Sequence, residues 1–156
     1  PQLMSAVVNC ALGGLVAITA GAKYIDPAFA VVTGLVGGMI AVVGPAVLQR
    51  FRVDDVVDAV SVHGFCGLWG TLAVGMFHTD HLFDPQQIGV QALGAGVAAA
   101  WAFGVGYLVF KALDMAVGLR ASTEHEQRGL DYTEHYEIGY GEFMAARTHR
   151  DLGGEG

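Results

Sequence analysis

Four apolar runs, residues 3–20, 28–49, 54–77 and 87–117, occupy most of this 156-residue chain, with only short polar connectors between them. At about 1.5 Å of rise per residue, roughly 20 helical residues cross the hydrocarbon core of a bilayer. In lipid a chain must satisfy its own backbone N–H and C=O groups, and for single runs of this length the helix does so. Four such runs also leave no amphipathic surface helix to cover a water-soluble core. The expectation is an all-α, polytopic transmembrane protein embedded in a lipid bilayer.

The ends of the runs carry helix signals. Pro27 stands just before the second run, where proline opens a helix well. The third run starts with Asp54 and Asp55, acids in the first turn of a predicted helix, where the helix dipole favours them. The fourth is about 30 residues long and is expected to tilt or to project into water.

Charge is segregated along the chain. Charged residues make up 15 % of it, against about 25 % in a soluble domain. From Pro1 to Phe77 they are only Lys23, Asp26, Arg50, Arg52, Asp54, Asp55 and Asp58, all between apolar blocks or at their edges. Residues 118–156 hold four Arg against eight Asp or Glu. This divides the chain into a membrane part, 1–118, and a polar tail, 119–156. The net charge of -7 comes without a basic patch, so no nucleic-acid partner is expected. Most of the 23 glycines lie inside the apolar runs, where small residues let membrane helices approach closely. Cys10 and Cys66 read as packing residues, and no spacing suits zinc. No metal or cofactor is expected. The first run lacks a basic leader and a cleavage site, so it is not a signal peptide. A start at Pro1-Gln2-Leu3 without Met reads as a fragment of a longer chain.

Orientation follows the Lys and Arg residues. Arg50 and Arg52 lie in one connector, and Arg120 and Arg128 follow the last run. Two crossings separate them, so both belong to one side, expected to be the cytoplasm. The connector from His78 to Gln87 has no Lys or Arg. In the tail, Thr123-Glu124-His125-Glu126 fits a capping box, with Gly129 as its stop. Leu130, Tyr132, Ile138, Tyr140, Phe143 and Met144 are apolar points expected to dock on the membrane part or on a partner.

One residue carries the chemistry. His63 sits in the apolar third run, and an ionisable side chain in a membrane segment is costly and functional by default. Burial with no opposite charge nearby penalises the charged form, so His63 is expected neutral, with one donor and one acceptor. That suits proton relay, or hydrogen bonding to a small neutral molecule. Asp58 lies five positions earlier, roughly 500° around a helix, and so off the same face. It reads as a structural acceptor near the Arg-rich end. Gly64, Gly67 and Gly70 recur every third position around His63 and are expected to thin the helix beside a narrow path. Trp69 and Trp101 read as packing residues more than as a cation-binding pair. His78 and His81, with Asp80 and Asp84, read as a solvated loop.

These residues also form motifs. DDVVDAVSVHGFCGLWGTLAVGMF resembles the late transmembrane signature of the ammonium transporter (Amt/MEP) family, roughly D-D-x-x-D-x-F-x-V-H-G-x-x-G-x-x-G. NCALGGLVAITA resembles the helix that precedes it. GLRASTEHEQRGLDYTEHYEIGY resembles the family's cytoplasmic end. The three occur in the family's order and cover nearly the whole chain. The resemblance implies the last four helices of an eleven-helix, homotrimeric transporter in the plasma (inner) membrane, with a cytoplasmic regulatory tail. By the same resemblance His63 matches the second histidine of the pair lining a hydrophobic pore, and Asp58 the acid below it. Ammonium would lose its proton outside that pore, and ammonia and proton would pass along the histidines. In the tail, Gly118, Leu119, Arg120, Glu124, Glu126, Gly129, Leu130, Asp131, His135, Glu137 and Tyr140 match the regulatory end, which implies contact with a PII-type protein. Val60 replaces a common Phe, Ser61 a common Gly or Ala, and Tyr136 the usual Gly after the tail histidine. The lack of a second His after Gly64 separates the chain from the related Rhesus proteins. A four-helix piece of this kind is not expected to conduct alone. The runner-up reading is an ammonium sensor on the same fold. A membrane enzyme with Asp58 and His63 as an acid–base pair is disfavoured by their helical phase, so no enzymatic activity is expected.

Overall fold

The computed structural model describes residues 2–130. Among the described residues five helices appear in order: α1 (Gln2–Thr19), α2 (Pro27–Arg50), α3 (Cys66–Phe77), α4 (Pro85–Val117) and α5 (Thr123–Arg128). A π-helical segment, Val60–Phe65, leads directly into α3, and a two-residue strand, β1 (His81–Leu82), follows it. The chain divides into two compact units, one ending at Gly104 and one beginning at Val105. By length and composition, α2, the Val60–Phe77 rod and α4 can each cross a membrane. The apolar part of α1, Met4–Thr19, is shorter than a full span.

Helix ends follow local chemistry. Asp26 caps α2, its carboxylate accepting the Ala28 N–H at 2.9 Å, with Pro27 as the first helical residue. Pro45 lies inside α2. The third run departs from expectation at its start. Residues 54–58 form an irregular, turn-rich stretch, and the π segment begins only at Val60. Asp54 and Asp55 are therefore outside the first helical turn, and Asp58 adopts φ 54° in the left-handed region. Asp is one of the few non-glycine residues that tolerates that conformation. In the second unit, Ser122 and not Thr123 caps α5, its Oγ accepting the His125 N–H at 3.2 Å. Gly129, at φ 93°, ends the helix as expected.

In the first unit α1, α2 and the π–α3 rod pack together along a seam of small residues. A Cβ at Gly37 would meet the Ala17 Cβ at 2.5 Å and the Gly13 carbonyl at 2.7 Å. A Cβ at Gly70 would run into the Ala17 carbonyl oxygen. Ala17, Ala41, Val62 and Cys66 form the buried cluster at this crossing. A second cluster, Ile25, Ala73, Val74 and Phe77, closes the opposite end. Without a hydrophobic drive between helices in lipid, backbone approach of this kind supplies the van der Waals contact that holds them. Trp69 is a packing residue, as expected: its indole N–H donates to the Thr33 carbonyl at 3.0 Å and its ring meets Phe77 edge-on. Cys66 is fully buried, whereas Cys10 is exposed.

Helix α4 has no buried residue, and Trp101 on it is 73 % exposed, so packing for that indole is not supplied within the described residues. The loop after α3 is tied back to the α1–α2 connector. Thr79 donates its N–H to the Tyr24 carbonyl at 2.9 Å, and the His78 ring stacks on Tyr24.

Gly37→Val in the full-length polypeptide that carries this chain should destabilise the α1–α2 crossing by about 1–3 kcal/mol through overpacking. Thermal unfolding in detergent reads the effect.

Candidate functional site

The site is built from the turn that precedes α3. The Asp55 carboxylate accepts the Val60 N–H at 2.9 Å and the Ser61 N–H at 3.1 Å, and lies 3.4 Å from the Ser61 hydroxyl. These are orphan donors of a helix start, and a carboxylate is the strongest neutraliser available to them. The helix then opens as a π segment: the Cys66 N–H reaches back to the Ser61 carbonyl as well as to that of His63. Short π segments recur at functional sites because the wider turn re-aims the side chains it carries.

Packing fixes which way the segment faces. Ser61 and Val62 are buried. A Cβ at Gly44 of α2 would lie 2.8 Å from the Ser61 Cβ, so the two backbones nearly touch there. The Cys66 thiol donates toward the Gly37 carbonyl at 3.2 Å, and one turn on Trp69 holds Thr33. Positions 62, 66, 70, 73, 74 and 77 thus form one buried stripe against α1 and α2, while buried Gly75 lies against the backbone of Ile88 on α4.

His63 lies off that stripe. Its ring is exposed on the surface of this chain, and among the described residues it makes no hydrogen bond, ion pair or ring contact. Within this chain α1 and α2 cover the adjacent face and leave the ring open. Gly64 and Gly67 share the open side. A Cβ at Gly67 meets nothing within 4 Å, and one at Gly64 only the Val60 side chain at 3.6 Å. The three glycines do different jobs, since Gly70 serves the α1 crossing and the other two do not.

Asp58 precedes the helix, and its carboxylate bonds a side-chain amide, not a backbone or hydroxyl group. Its Oδ2 accepts the amide N–H of Asn9 on α1 at 2.5 Å, a link across 49 positions. Sequence reasoning missed Asp55 as the capping acid. The signal was present in the acid pair, but the irregular stretch that ends near Asp58 could not be seen behind an unbroken apolar run.

The tail residues fall in the second unit. Gly118 has φ 69°, and the Leu119 N–H donates to the Asp114 carboxylate at 2.9 Å. Arg120 pairs with Glu126 at 3.3 Å, both in contact with solvent. Glu124 lies in the first turn of α5, and Leu130 is exposed. Asp131, His135, Glu137 and Tyr140 lie outside the described residues. In the loop after α3, His78 accepts the Asp80 N–H on Nδ1 at 3.2 Å and His81 sits beside it, with ring centroids 5.7 Å apart. Among the described residues no group of three or more His, Cys, Asp or Glu could hold a metal.

Stacked apolar helices with one histidine turned off the core define a polytopic helical membrane protein. The sequence pattern of the Ammonium Transporter Family matches residues 2–140, and the chain belongs to that family. Ammonium transporter Amt2 of Archaeoglobus fulgidus is 39 % identical over 160 residues, which cover 92 % of this chain and 34 % of that protein. The ammonium transporter of Bacillus subtilis is 34 % identical over 155 residues, covering 92 % of this chain and 38 % of that one. The solved structure of a Sensor Amt Protein superposes with a TM-score of 0.73 at 37 % identity, over 83 % of this chain and 34 % of that one. The chain thus spans about a third of the length of these relatives.

Asp55→Ala should cost about 1–2 kcal/mol of stability in the full-length polypeptide, as the loss of a helix cap does. Asp54→Ala, at an exposed position, should change it by less than about 0.5 kcal/mol. Paired denaturation curves check both.

Proposed function

We propose that this chain forms one wall of an ammonium-conducting passage, with His63 as the pore-lining group that relays a proton. The observation that carries the reading is the placement of His63: an imidazole on a capped, rigid segment, turned off the α1–α2 seam and left without a partner by the described residues. An apolar wall suits ammonia. A bare cation pays heavily to leave water there, while a neutral hydrogen-bonding molecule loses little. Ammonium can shed its charge by giving up a proton and potassium cannot, so the same wall rejects potassium. Gly64 and Gly67 keep room beside the ring. Asp58 and Gly70 hold the wall in place, the first through Asn9 and the second through the Ala17 contact.

The rest of the proposal follows the family. The protein is a homotrimeric, multi-pass transporter of the plasma (inner) membrane, with its tail in the cytoplasm. The tail couples subunits and meets a PII-type regulator through the Gly118–Arg120 turn, Glu124, Glu126, Gly129, Leu130, Asp131, His135, Glu137 and Tyr140. No enzymatic role is part of this proposal: Asp58 bonds Asn9 and makes no hydrogen bond to His63 among the described residues. A sensor on the same membrane fold is the second reading, favoured by the likeness to the Sensor Amt Protein.

In liposomes holding the full-length polypeptide, His63→Ala should reduce ammonium-driven current about a hundredfold, the scale of a lost proton-transfer group. His63→Asp, which keeps a titratable group, should retain more current than His63→Ala. Current indifferent to both substitutions removes His63 from the mechanism, and ammonium binding without current favours the sensor.

A further inference from the structure

The turn after α3 is built around a second histidine, His78, at the other end of the Val60–Phe77 rod from the Asp55 cap. Phe77 and His78 pair with Leu82 and His81 as antiparallel bridges, so Thr79 and Asp80 form the tip of a tight hairpin. That tip is clasped to the connector between α1 and α2. The Thr79 N–H donates to the Tyr24 carbonyl at 2.9 Å, the Thr79 hydroxyl donates to the same oxygen at 3.2 Å, and His78 pairs with Ile25. The His78 side chain closes the turn from within. Its Nδ1 accepts the Asp80 N–H, two positions on, as the side chain of Asn or Asp does in a turn. That bond needs an imidazole whose Nδ1 carries no proton.

We propose that His78 is a proton-operated clasp: the turn is closed on the α1–α2 connector while the ring is neutral, and acid opens it. Protonation of Nδ1 sets one donor against another, and the Asp80 N–H loses its acceptor. The surroundings push the same way. The His81 ring lies beside His78, and Lys23 holds its ammonium 5.5 Å over the Tyr24 ring on which His78 stacks. Both add repulsion once His78 is charged. The acids nearby are Asp26, Asp80 and Asp84. Asp26 accepts the Ala28 N–H and Asp84 the Gln86 N–H, and among the described residues no carboxylate pairs with His78. The stack on Tyr24, with 5.3 Å between centroids, tolerates either state of the ring, since an aromatic face attracts a cation. Acid therefore breaks the turn without expelling the ring. Thr79 sits in the same turn, so opening takes both of its bonds to Tyr24 with it and frees the end of α3 from the connector. The bond is present at high pH and lost as pH falls. This device is independent of the transport reading and of His63.

Hydrogen exchange of the full-length polypeptide in nanodiscs tests this, read by mass spectrometry on peptides across the His78–Leu82 turn. Protection is compared at about pH 8 and about pH 5, the range in which histidine changes charge, after division by the intrinsic exchange rate at each pH. The Thr79 and Asp80 amides of the wild type should lose about fivefold in protection at the acid end, the scale of one or two hydrogen bonds. His78→Asn keeps an oxygen that accepts the Asp80 N–H and cannot titrate, and Asn suits the extended backbone at this position (φ -60°, ψ 130°). Its protection should be equal at both pH values. His78→Phe keeps a ring to stack on Tyr24 but offers no acceptor, so its turn should be open at both. His81→Asn removes only the neighbouring charge and should still respond to acid. Protection across α1 and α2 should stay at the wild-type level in all three. Wild-type protection indifferent to pH overturns the clasp, as does a response that survives His78→Asn or one that His81→Asn abolishes.

Discussion

The contact between the Asp55 carboxylate and the N–H groups of Val60 and Ser61 organises this structure. It allows a helix to begin late, after a turn, with its first donors satisfied. The late start lets the π segment form, and the π segment sets the direction of His63. Without the cap, those donors would have to be met by a longer helix starting near Asp54, and every side chain up to α3 would rotate about the axis. The same turn places Asp58 in the left-handed conformation from which it reaches Asn9.

The direction of His63 depends equally on what covers its neighbours. Gly44 lets α2 lie against Ser61, Gly37 receives the Cys66 thiol, and Gly70 lets α1 touch α3. Side chains of ordinary size at these three places would push the rod away from the seam and free it to turn. The seam therefore does two things: it supplies close contact in a solvent that gives no hydrophobic drive, and it leaves the histidine face uncovered. The absence of buried residues on α4 fits a chain that spans about a third of its relatives, in which further helices are available to cover open faces.

Much of this was legible in the residues. Apolar runs gave the order of the helices, and three of the four are long enough to span, the apolar part of α1 falling short. Pro27 and Gly129 marked a helix start and a helix stop through backbone constraints that act within a few residues. Four features escaped. The irregular stretch from Asp54 to Asp58 is hidden because Val56 and Val57 within it, and Ala59 just after it, are as apolar as a helix interior. The difference between Gly70 and Gly67 is a matter of what stands opposite each, which spacing cannot reveal. Ser122 displaced Thr123 as a cap because two adjacent hydroxyl residues compete for one role and only backbone geometry chooses between them. The His63 motif was plain in the sequence, yet its exposed setting on this chain was not, since burial depends on which helices surround it.

The account stands on where the His63 imidazole points once the whole protein is assembled. A structure of the full-length polypeptide in a lipid nanodisc measures this directly. The ring should face other helices of the same subunit across a narrow, protein-lined gap continuous with Gly67. A ring that meets acyl chains, or that is packed shut against a side chain with no gap beside it, contradicts the account.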